Sequence, residues 1–251
     1  MNTASLSIML RSLRLPSVLA NYQQLATTAA ANNWGFEQYL HTLLEIETDE
    51  RAQRRRARLL KQSGLPDGKT LETLDMSVFP QNIRRTVPTL LDGGFVERAE
   101  NVLAFGLPGR GKTHLLAGIA HELIIRHNYR VLFTTTFSLV QQLLVAKNEL
   151  RIEELLRKLD RYAVILLDDI GYVQQSREEM EILFTFLSER YERRSLMITS
   201  NLKFSQWDKI FKDPMTTAAA IDRLVHHSTV LELDCESWRA NEALKRRKSR
   251  K

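Results

Sequence analysis

Two patterns of hydrophobic positions divide the chain near residue 66. Before that point, apolar residues recur every three or four positions, which predicts helices. The clearest stripe comprises Phe36, Tyr39, Leu40, Leu43 and Leu44. We expect this stripe to pack in a core, with stacking of its aromatic rings on bases as the alternative. The helix is expected to continue into the arginine-rich segment that follows.

A different pattern begins after a strong helix breaker, Ser-Gly-Leu-Pro-Asp-Gly, at residues 63–68. Short apolar runs then alternate with longer helical patterns, which predicts a parallel sheet with helices on both faces. The predicted strands are Asn101–Phe105, Arg130–Thr135, Ala163–Leu167, Ser195–Thr199 and Thr229–Leu233, and the predicted helices are His114–Arg126, Ser138–Leu159 and Arg177–Arg194. We expect a small all-α domain over residues 1–66, a linker over 67–80, an α/β domain over 81–240 and a basic tail over 241–251.

Composition excludes several classes of protein. Hydrophobic residues make up 43% of the 251 positions and charged residues 26%, which is typical of a soluble globular protein. No apolar run approaches the ~20 residues that span a bilayer, so we expect no membrane partner. A single cysteine, Cys235, excludes an internal disulfide framework. The expected location is the cytoplasm.

Positive charge is concentrated in two segments of a chain whose net charge is +6. One segment is Arg51–Lys61 and the other is Lys245–Lys251. Such concentration is expected when the partner is a polyanion, and a solvated helix face with a free tail is the alternative. On a continuous helix, the first segment would form a basic ridge. The candidate DNA contacts are Arg51, Arg54, Arg55, Arg58 and Lys61.

The strongest motif for chemistry is a glycine-rich loop that follows the first predicted strand. It reads Gly106, Leu107, Pro108, Gly109, Arg110, Gly111, Lys112 and Thr113, and His114 opens the next helix. This is the P-loop pattern G-x-x-x-x-G-K-[ST] in its required place between a strand and a helix. Glycines let backbone N–H groups surround phosphate oxygens, and the helix N-terminus adds partial positive charge. Lys112 would reach the β- and γ-phosphates, and the Thr113 hydroxyl would bind Mg²⁺.

Three later segments supply the groups that a P-loop enzyme needs. Asp168 and Asp169 end an apolar strand, so Asp168 would hold Mg²⁺ and Asp169 would orient the attacking water. Asn201 follows a neighbouring strand and could sense the γ-phosphate, with a turn-forming asparagine as the alternative. Arg223 lies near the end of a helical pattern. It could reach a nucleotide in an adjacent subunit, although spacing alone favours a surface pair with Asp222.

Taken together, these motifs resemble those of AAA+ ATPases, and more closely those of the IstB/DnaC-like group that contains the ATP-binding helpers of insertion-sequence transposases. The resemblance extends from about residue 6 to residue 240. Its phrases are Leu13–Pro16, Glu100–Leu103, Gly106–His114, Leu167–Tyr172, Arg190–Arg193, Thr199–Leu202, Phe204–Trp207 and Asp222–Leu224.

The resemblance implies a five-stranded AAA+ core preceded by a helical domain. It also implies ATP and Mg²⁺ as cofactors, double-stranded DNA and a cognate transposase as partners, and a homo-oligomer that forms with ATP on target DNA. Matched motif by motif, Lys112 and Thr113 are the Walker A residues, and Asp168 and Asp169 the Walker B pair. Asn201 then corresponds to sensor 1 and Arg223 to the arginine finger. Arg239 is a candidate for the arginine that the lid of such enzymes supplies.

One departure and three alternatives follow from the same residues. Many AAA+ enzymes carry glutamate where this chain has Asp169, and the shorter side chain suits slow hydrolysis of ATP. The first alternative is a helicase loader of the DnaC type. The second is a P-loop kinase that phosphorylates a small molecule. The third is a DNA-binding module whose binding to DNA is controlled by nucleotide and which hydrolyses ATP at a negligible rate.

Overall fold

The computed structural model describes residues 3–171, 176–202, 206–207 and 214–234. The chain divides into two compact units, Met1–Arg58 and Leu59–Lys251. The division falls eight residues before the predicted end of the helical domain, because Leu59 is buried in the core of the larger unit. In the part of the chain that is described, no helix is long and apolar enough to cross a membrane.

The smaller unit is built from helices α1, Thr3–Ser12, α2, Pro16–Ala31, and α3, Phe36–Ser63, whose last turn belongs to the larger unit. Leu10, Val18 and Leu43 form its buried core. The predicted stripe on α3 is wider than this core. Tyr39 packs against the core and donates a hydrogen bond of 2.8 Å to the carbonyl of Tyr22, but other stripe residues lie outside it. Phe36, Leu40 and Leu44 are exposed, Phe36 by 94%.

The larger unit contains a five-stranded, fully parallel sheet in the order β2-β3-β4-β1-β5. The strands are β1, Asn101–Phe105, β2, Val131–Thr135, β3, Val164–Ile170, β4, Ser195–Ser200, and β5, Ser228–Glu232. All five were predicted from the apolar runs. The three central strands are almost entirely buried because helices cover both faces of the sheet.

Helices on the two faces of the sheet account for the two large core clusters of this unit. Their bounds are α4, Gln81–Leu91, α5, Gly94–Glu97, α6, Lys112–His127, α7, Thr136–Asn148, α8, Ile152–Leu159, α9, Arg177–Arg190, and α10, Pro214–Val225. A 3-10 turn spans Met76–Val78. The prediction of one helix over Ser138–Leu159 is wrong. The chain ends α7 with Leu150 in the left-handed region, at φ 56°, and starts α8 two residues later.

The segment predicted as a linker, residues 67–80, packs on α6. A Cβ atom added to Gly118 would lie 2.8 Å from the Leu71 side chain, so the segment passes directly over this glycine. Phe79 is buried, and its ring lies close to Gly111 in the P-loop. The segment therefore belongs to the structure around the candidate site.

A buried arginine ties three segments at the base of the sheet. Arg190, only 3% exposed, donates hydrogen bonds to the carbonyls of Leu159, Tyr162 and Ser195 at 3.1, 3.0 and 3.2 Å. Burial is the main cause that lowers the pKa of this arginine to about 10, and nearby Arg194 and Arg193 act in the same direction. The side chain remains a cation at neutral pH and uses its planar donors as a structural tie.

Candidate nucleotide-binding site

The P-loop lies at the carboxyl end of β1, where parallel α/β sheets place their ligands. Gly111 is the N-cap of α6 and has a φ of 84°, a left-handed conformation that glycine adopts without strain. A Cβ atom at Gly106 would lie 2.7 Å from the carbonyl oxygen of Leu233. The loop therefore requires glycine at both positions, one for its turn and the other for close approach to the chain after β5.

Lys112 is held inside this loop by oxygen atoms. Its Nζ donates to the carbonyls of Gly106 at 2.7 Å and Leu107 at 3.1 Å, and to the side-chain oxygen of Asn201 at 2.7 Å. The lysine is buried, so its charge acts in a region with little solvent screening. The structure thus brings the predicted lysine and the predicted asparagine into direct contact across 89 residues of sequence.

A bulge near the end of β3 presents the two predicted aspartates. The pairing of β3 with β4 shifts register between Leu167 and Ile170, and Asp169 has a φ of 66°. The strand therefore continues past Asp168 and Asp169, where the sequence predicted its end. Asp168 accepts a hydrogen bond of 2.7 Å from the Thr113 hydroxyl, so the two predicted magnesium ligands are adjacent.

Asn201 links the second aspartate to the P-loop lysine. Its Nδ2 donates to the Asp169 carboxylate at 2.9 Å, while its Oδ1 accepts from Lys112. The side-chain amide is therefore oriented by partners at both ends. Such an arrangement fixes the relative positions of a cation that binds phosphate and a carboxylate that orients water.

Sequence reasoning missed Thr199, and it missed the two threonines that contact the predicted residue His114. The Thr199 hydroxyl contacts both Asp168 and the backbone N–H of Asp169, at 2.7 and 2.8 Å. In the first turn of α6, His114 Nε2 lies 3.0 Å from the Thr73 hydroxyl and 3.0 Å from the carbonyl of Thr70. Thr199 stands in a predicted strand next to a predicted motif, which was a usable signal. No local pattern marked the threonines at 70 and 73.

The residues present fit a nucleoside triphosphate and Mg²⁺. The first turn of a helix and a buried lysine suit phosphate oxygens. The Thr113 hydroxyl and the Asp168 carboxylate are hard oxygen donors within 2.7 Å of each other, the donor type that Mg²⁺ prefers. Arg110 anchors the loop from outside, because its guanidinium donates to Leu233 at 3.0 Å and to Asp234 at 2.7 Å.

Arg223 lies on α10 and packs against α9 of its own chain. Its guanidinium lies over the Phe184 ring, 4.8 Å from the centroid, and donates to the Ser188 hydroxyl. The described salt bridges do not include a pair with Asp222, the surface partner that spacing alone suggested. Its assignment as an arginine finger stays a prediction.

The candidate DNA contacts on α3 fall into two groups. Arg51 and Arg54 contact Glu47 at 2.7 and 3.7 Å, and Arg54 also donates to the Ser17 hydroxyl at 2.9 Å. All five basic residues are exposed, and the described ion pairs do not include Arg55, Arg58 or Lys61. The basic ridge is thus partly engaged by an acidic residue of the same helix. The other predicted basic element, the tail over residues 241–251, and Arg239 lie outside the described residues.

Glu47 is buried, while the side chains of Arg51 and Arg54, which contact its carboxylate, are about half exposed. Its Oε2 accepts the backbone N–H groups of Ser17 at 2.8 Å and Val18 at 3.2 Å, at the first turn of α2. Burial alone would raise the pKa of Glu47. The hydrogen bonds from Arg51, Val18 and Ser17 outweigh burial and hold this pKa below its ordinary value.

The parallel sheet has the strand order 2-3-4-1-5, and its carboxyl edge carries a P-loop after β1, aspartates at the end of β3 and a polar residue after β4. These features define a nucleotide-binding protein with the AAA+ fold. Comparison with known sequences then identifies the family to which the chain belongs. The chain belongs to the family of IstB-like ATP-binding proteins, whose sequence profile matches residues 8–247.

Relatives agree with this assignment over nearly the whole chain. An insertion sequence ATP-binding protein of Sinorhizobium fredii is 42% identical over 248 residues, which are 98% of this chain and 83% of the relative. The insertion sequence IS21 ATP-binding protein of Pseudomonas aeruginosa is 38% identical over 240 residues, which are 96% of this chain and 90% of the relative.

Solved structures of lower identity share the fold. The replication initiator DnaA bound to AMPPCP and single-stranded DNA aligns with a TM-score of 0.57 at 18% identity, over 73% of this chain and 56% of that one. The DnaC helicase loader aligns with a TM-score of 0.53 at 21% identity, over 67% of this chain and 98% of that one. These matches confirm the AAA+ core predicted from the sequence.

Proposed function

We propose that this protein is an ATP-dependent, DNA-binding helper of a transposase, which assembles on double-stranded target DNA and hydrolyses ATP slowly. One observation carries the nucleotide part of the proposal. Lys112, Asn201 and Asp169 form a single hydrogen-bonded path at the carboxyl edge of the sheet. The names of the relatives, which are insertion sequence ATP-binding proteins, support the link to transposition.

The chemistry follows from the positions of the side chains. Lys112 and the N–H groups at the start of α6 bind the phosphates, and Thr113 with Asp168 would hold Mg²⁺, which offsets phosphate charge when bound. Asp169 orients a water molecule for attack on the γ-phosphorus. A bond forms between the water oxygen and this phosphorus as the bond to the bridging oxygen breaks. The protons of the water go to the phosphate and to solvent, so the products are ADP and inorganic phosphate. Asn201 keeps the Asp169 carboxylate in place.

Slow turnover is expected from the second aspartate. Asp169 is one methylene shorter than glutamate, so its carboxylate lies farther from a water at the γ-phosphate. Asp169 also has left-handed backbone geometry at φ 66° and a side chain tied to Asn201, which restrict its adjustment. A slow ATPase suits a switch in which ATP favours the assembled state on DNA.

The proposal couples nucleotide to DNA through assembly of subunits. Its test measures affinity for duplex DNA with ATP, with ADP and for the variant Lys112→Ala, with particle mass recorded in parallel. We expect ATP to strengthen DNA binding by about 5- to 150-fold over ADP, the usual range of a coupling free energy, and to increase the mass. Lys112→Ala should abolish both effects, whereas Lys158→Ala, at an exposed lysine of α8, should retain them. Equal DNA affinity in all three conditions would refute the coupling.

The proposed role of Arg223 in a neighbouring subunit has its own test. The variant Lys112→Ala has a defective P-loop but keeps Arg223. The variant Arg223→Ala keeps an intact P-loop but lacks the arginine. If Arg223 completes the site of a neighbour, mixing the two inactive variants should restore part of the DNA-stimulated ATPase rate. A mixture no more active than its components would exclude that role, as would full activity of Arg223→Ala alone.

The partner distinguishes this function from the DnaC-type alternative. A transposase encoded beside this gene should bind the ATP-loaded protein on DNA, and a replicative helicase should not. Binding to the helicase with no binding to the transposase would favour the loader instead.

A further inference from the structure

Thr199 occupies a buried position on β4 between the two acidic residues of the candidate site. Its side chain is 1% exposed, and its hydroxyl makes two hydrogen bonds. The hydroxyl donates to Oδ1 of Asp168 at 2.7 Å and accepts from the backbone N–H of Asp169 at 2.8 Å. A threonine hydroxyl has one proton to donate, so the contact with Asp168 uses that donor fully.

The bulge in β3 explains why a side chain is needed here. Regular pairing of β3 with β4 stops at Leu167 and resumes at Ile170. The Asp169 N–H lies in that gap, and the Thr199 hydroxyl accepts it. A buried N–H without an acceptor is costly, so this contact stabilises the left-handed backbone that presents Asp169.

The second hydrogen bond acts on Asp168. Its Oδ1 accepts two hydroxyl donors, from Thr113 and from Thr199, both at 2.7 Å. Thr113 belongs to the P-loop and is itself a candidate ligand of Mg²⁺. Thr199 belongs to the sheet and lies on a strand that is buried throughout. It is therefore the donor that keeps the Asp168 carboxylate in one orientation when Thr113 turns toward a ligand.

We propose that Thr199 is a positioning residue, which sets the Asp168 carboxylate for Mg²⁺ and the Asp169 backbone for water. This inference rests on the proposed ATPase function. The residue acts through the two aspartates and does not itself touch the nucleotide. Groups that orient the ligands of a metal ion in this way contribute about 10- to 100-fold to metal affinity or activity.

The chain offers a matched control for a buried threonine. Thr136 is also almost fully buried, and its hydroxyl donates to the backbone carbonyl of Asp168 at 3.2 Å. Thr136→Val therefore removes a similar hydrogen bond to the same residue without touching the carboxylate. Comparison with Thr199→Val, which keeps the shape of threonine, isolates the effect on the acidic side chains.

The experiment uses the full chain with ATP and duplex DNA, and measures three quantities. They are the affinity for a fluorescent ATP analogue in EDTA, the Mg²⁺ concentration that gives half of the maximal affinity, and the single-turnover hydrolysis rate. For Thr199→Val we expect binding in EDTA within about 3-fold of the wild type, a Mg²⁺ requirement raised about 10-fold, and hydrolysis reduced about 10- to 100-fold. Thr199→Ser and Thr136→Val should remain within about 3-fold on all three measures.

A second pair of variants covers the case in which Thr199→Val does not fold. Thr199→Ser and Thr199→Ala both lack the methyl group and differ only in the hydroxyl. A serine variant that retains activity beside an impaired alanine variant supports the inference, and equal loss in both overturns it. The inference is also overturned if Thr199→Val hydrolyses ATP at the wild-type rate and needs no more Mg²⁺ than the wild type. A wild-type protein that neither binds nor hydrolyses ATP refutes the proposed function instead.

Discussion

Glu47→Gln tests how the smaller unit holds its helices and its arginines. Helix α2 begins at Leu15 and Pro16, and neither residue offers a side-chain cap. The backbone N–H groups of Ser17 and Val18 instead donate hydrogen bonds to the carboxylate of Glu47, which lies on α3 about 30 residues further along the chain. A negative charge at a helix N-terminus is stabilising, and here it is buried as well.

The magnitude follows from the number of contacts. The carboxylate accepts two backbone N–H groups with one oxygen and Arg51 with the other. Glutamine has the same size but one oxygen, so it satisfies either the N–H groups or Arg51. Hydrogen bonds to charged groups contribute about 1.5–3 kcal/mol. We therefore expect local stability at the start of α2 to fall by about 2–3 kcal/mol, which corresponds to about 30- to 150-fold faster amide exchange through local opening.

The assay is amide hydrogen exchange at Ser17 and Val18, with Leu103 in β1 as the reference for the larger unit. Glu45→Gln is the matched control, because Glu45 lies on the same helix and is mostly exposed. In the wild type, protection of both amides should be full at neutral pH and should decline only in the acidic range where carboxylates become protonated. The pKa of Glu47 is lowered in the folded state, so the stabilisation begins to decline as pH falls below the ordinary glutamate pKa and is lost as pH falls through the lowered value. Protection within 2-fold of the wild type in Glu47→Gln would refute the capping role.

Three further changes have expected outcomes. Arg190→Met leaves three buried carbonyls without their donor, and we expect a loss of about 3 kcal/mol, seen as a fall in Tm of about 6–12 °C; an unchanged Tm would contradict the structural tie. Arg55→Glu combined with Arg58→Glu should weaken DNA binding. It should also reduce the slope of log affinity against log salt concentration by about 1.8 per subunit, since each phosphate contact contributes about 0.9. An unchanged slope would exclude both residues as DNA contacts. Gly118→Ala places a methyl group against Leu71 and should cost about 1–3 kcal/mol; unaltered amide exchange in residues 68–74 would show that the segment does not rest on this glycine.

The parts of the fold that sequence predicted are those with a local signal. Each strand of the sheet is a short apolar run, and the P-loop combines fixed spacing with a preceding strand and a following helix. The lysine, threonine, aspartates and asparagine of the site could be assigned because the carboxyl ends of parallel strands lie at one edge. Their convergence in the structure also depends on the strand order, which the apolar runs did not predict.

The parts that sequence missed depend on contacts between distant residues or on unusual backbone geometry. Leu150 ends α7 in a left-handed conformation, a position where glycine or asparagine would have been the signal. The bulge at Asp169 extends β3 beyond its apolar run. Residues 67–80 contain Gly, Pro and Asp and so resemble a linker, yet Leu71 and Phe79 dock on α6 and the P-loop. Only the folded α6 provides the surface for this docking.

The structure changes which arginines should carry the proposed DNA contact. Periodicity placed Arg51, Arg54, Arg55 and Arg58 on one ridge as equivalent charges. Glu47 neutralises part of the charge of the first two and holds them beside α2. Replacement of Arg51 or Arg54 would therefore combine a loss of charge with a loss of stability, so weaker DNA binding by those variants would be ambiguous. Arg55 and Arg58 are exposed and one helical turn apart, a spacing of about 5 Å along the helix axis. Their variants separate the electrostatic contribution to DNA binding from the folding of the smaller unit.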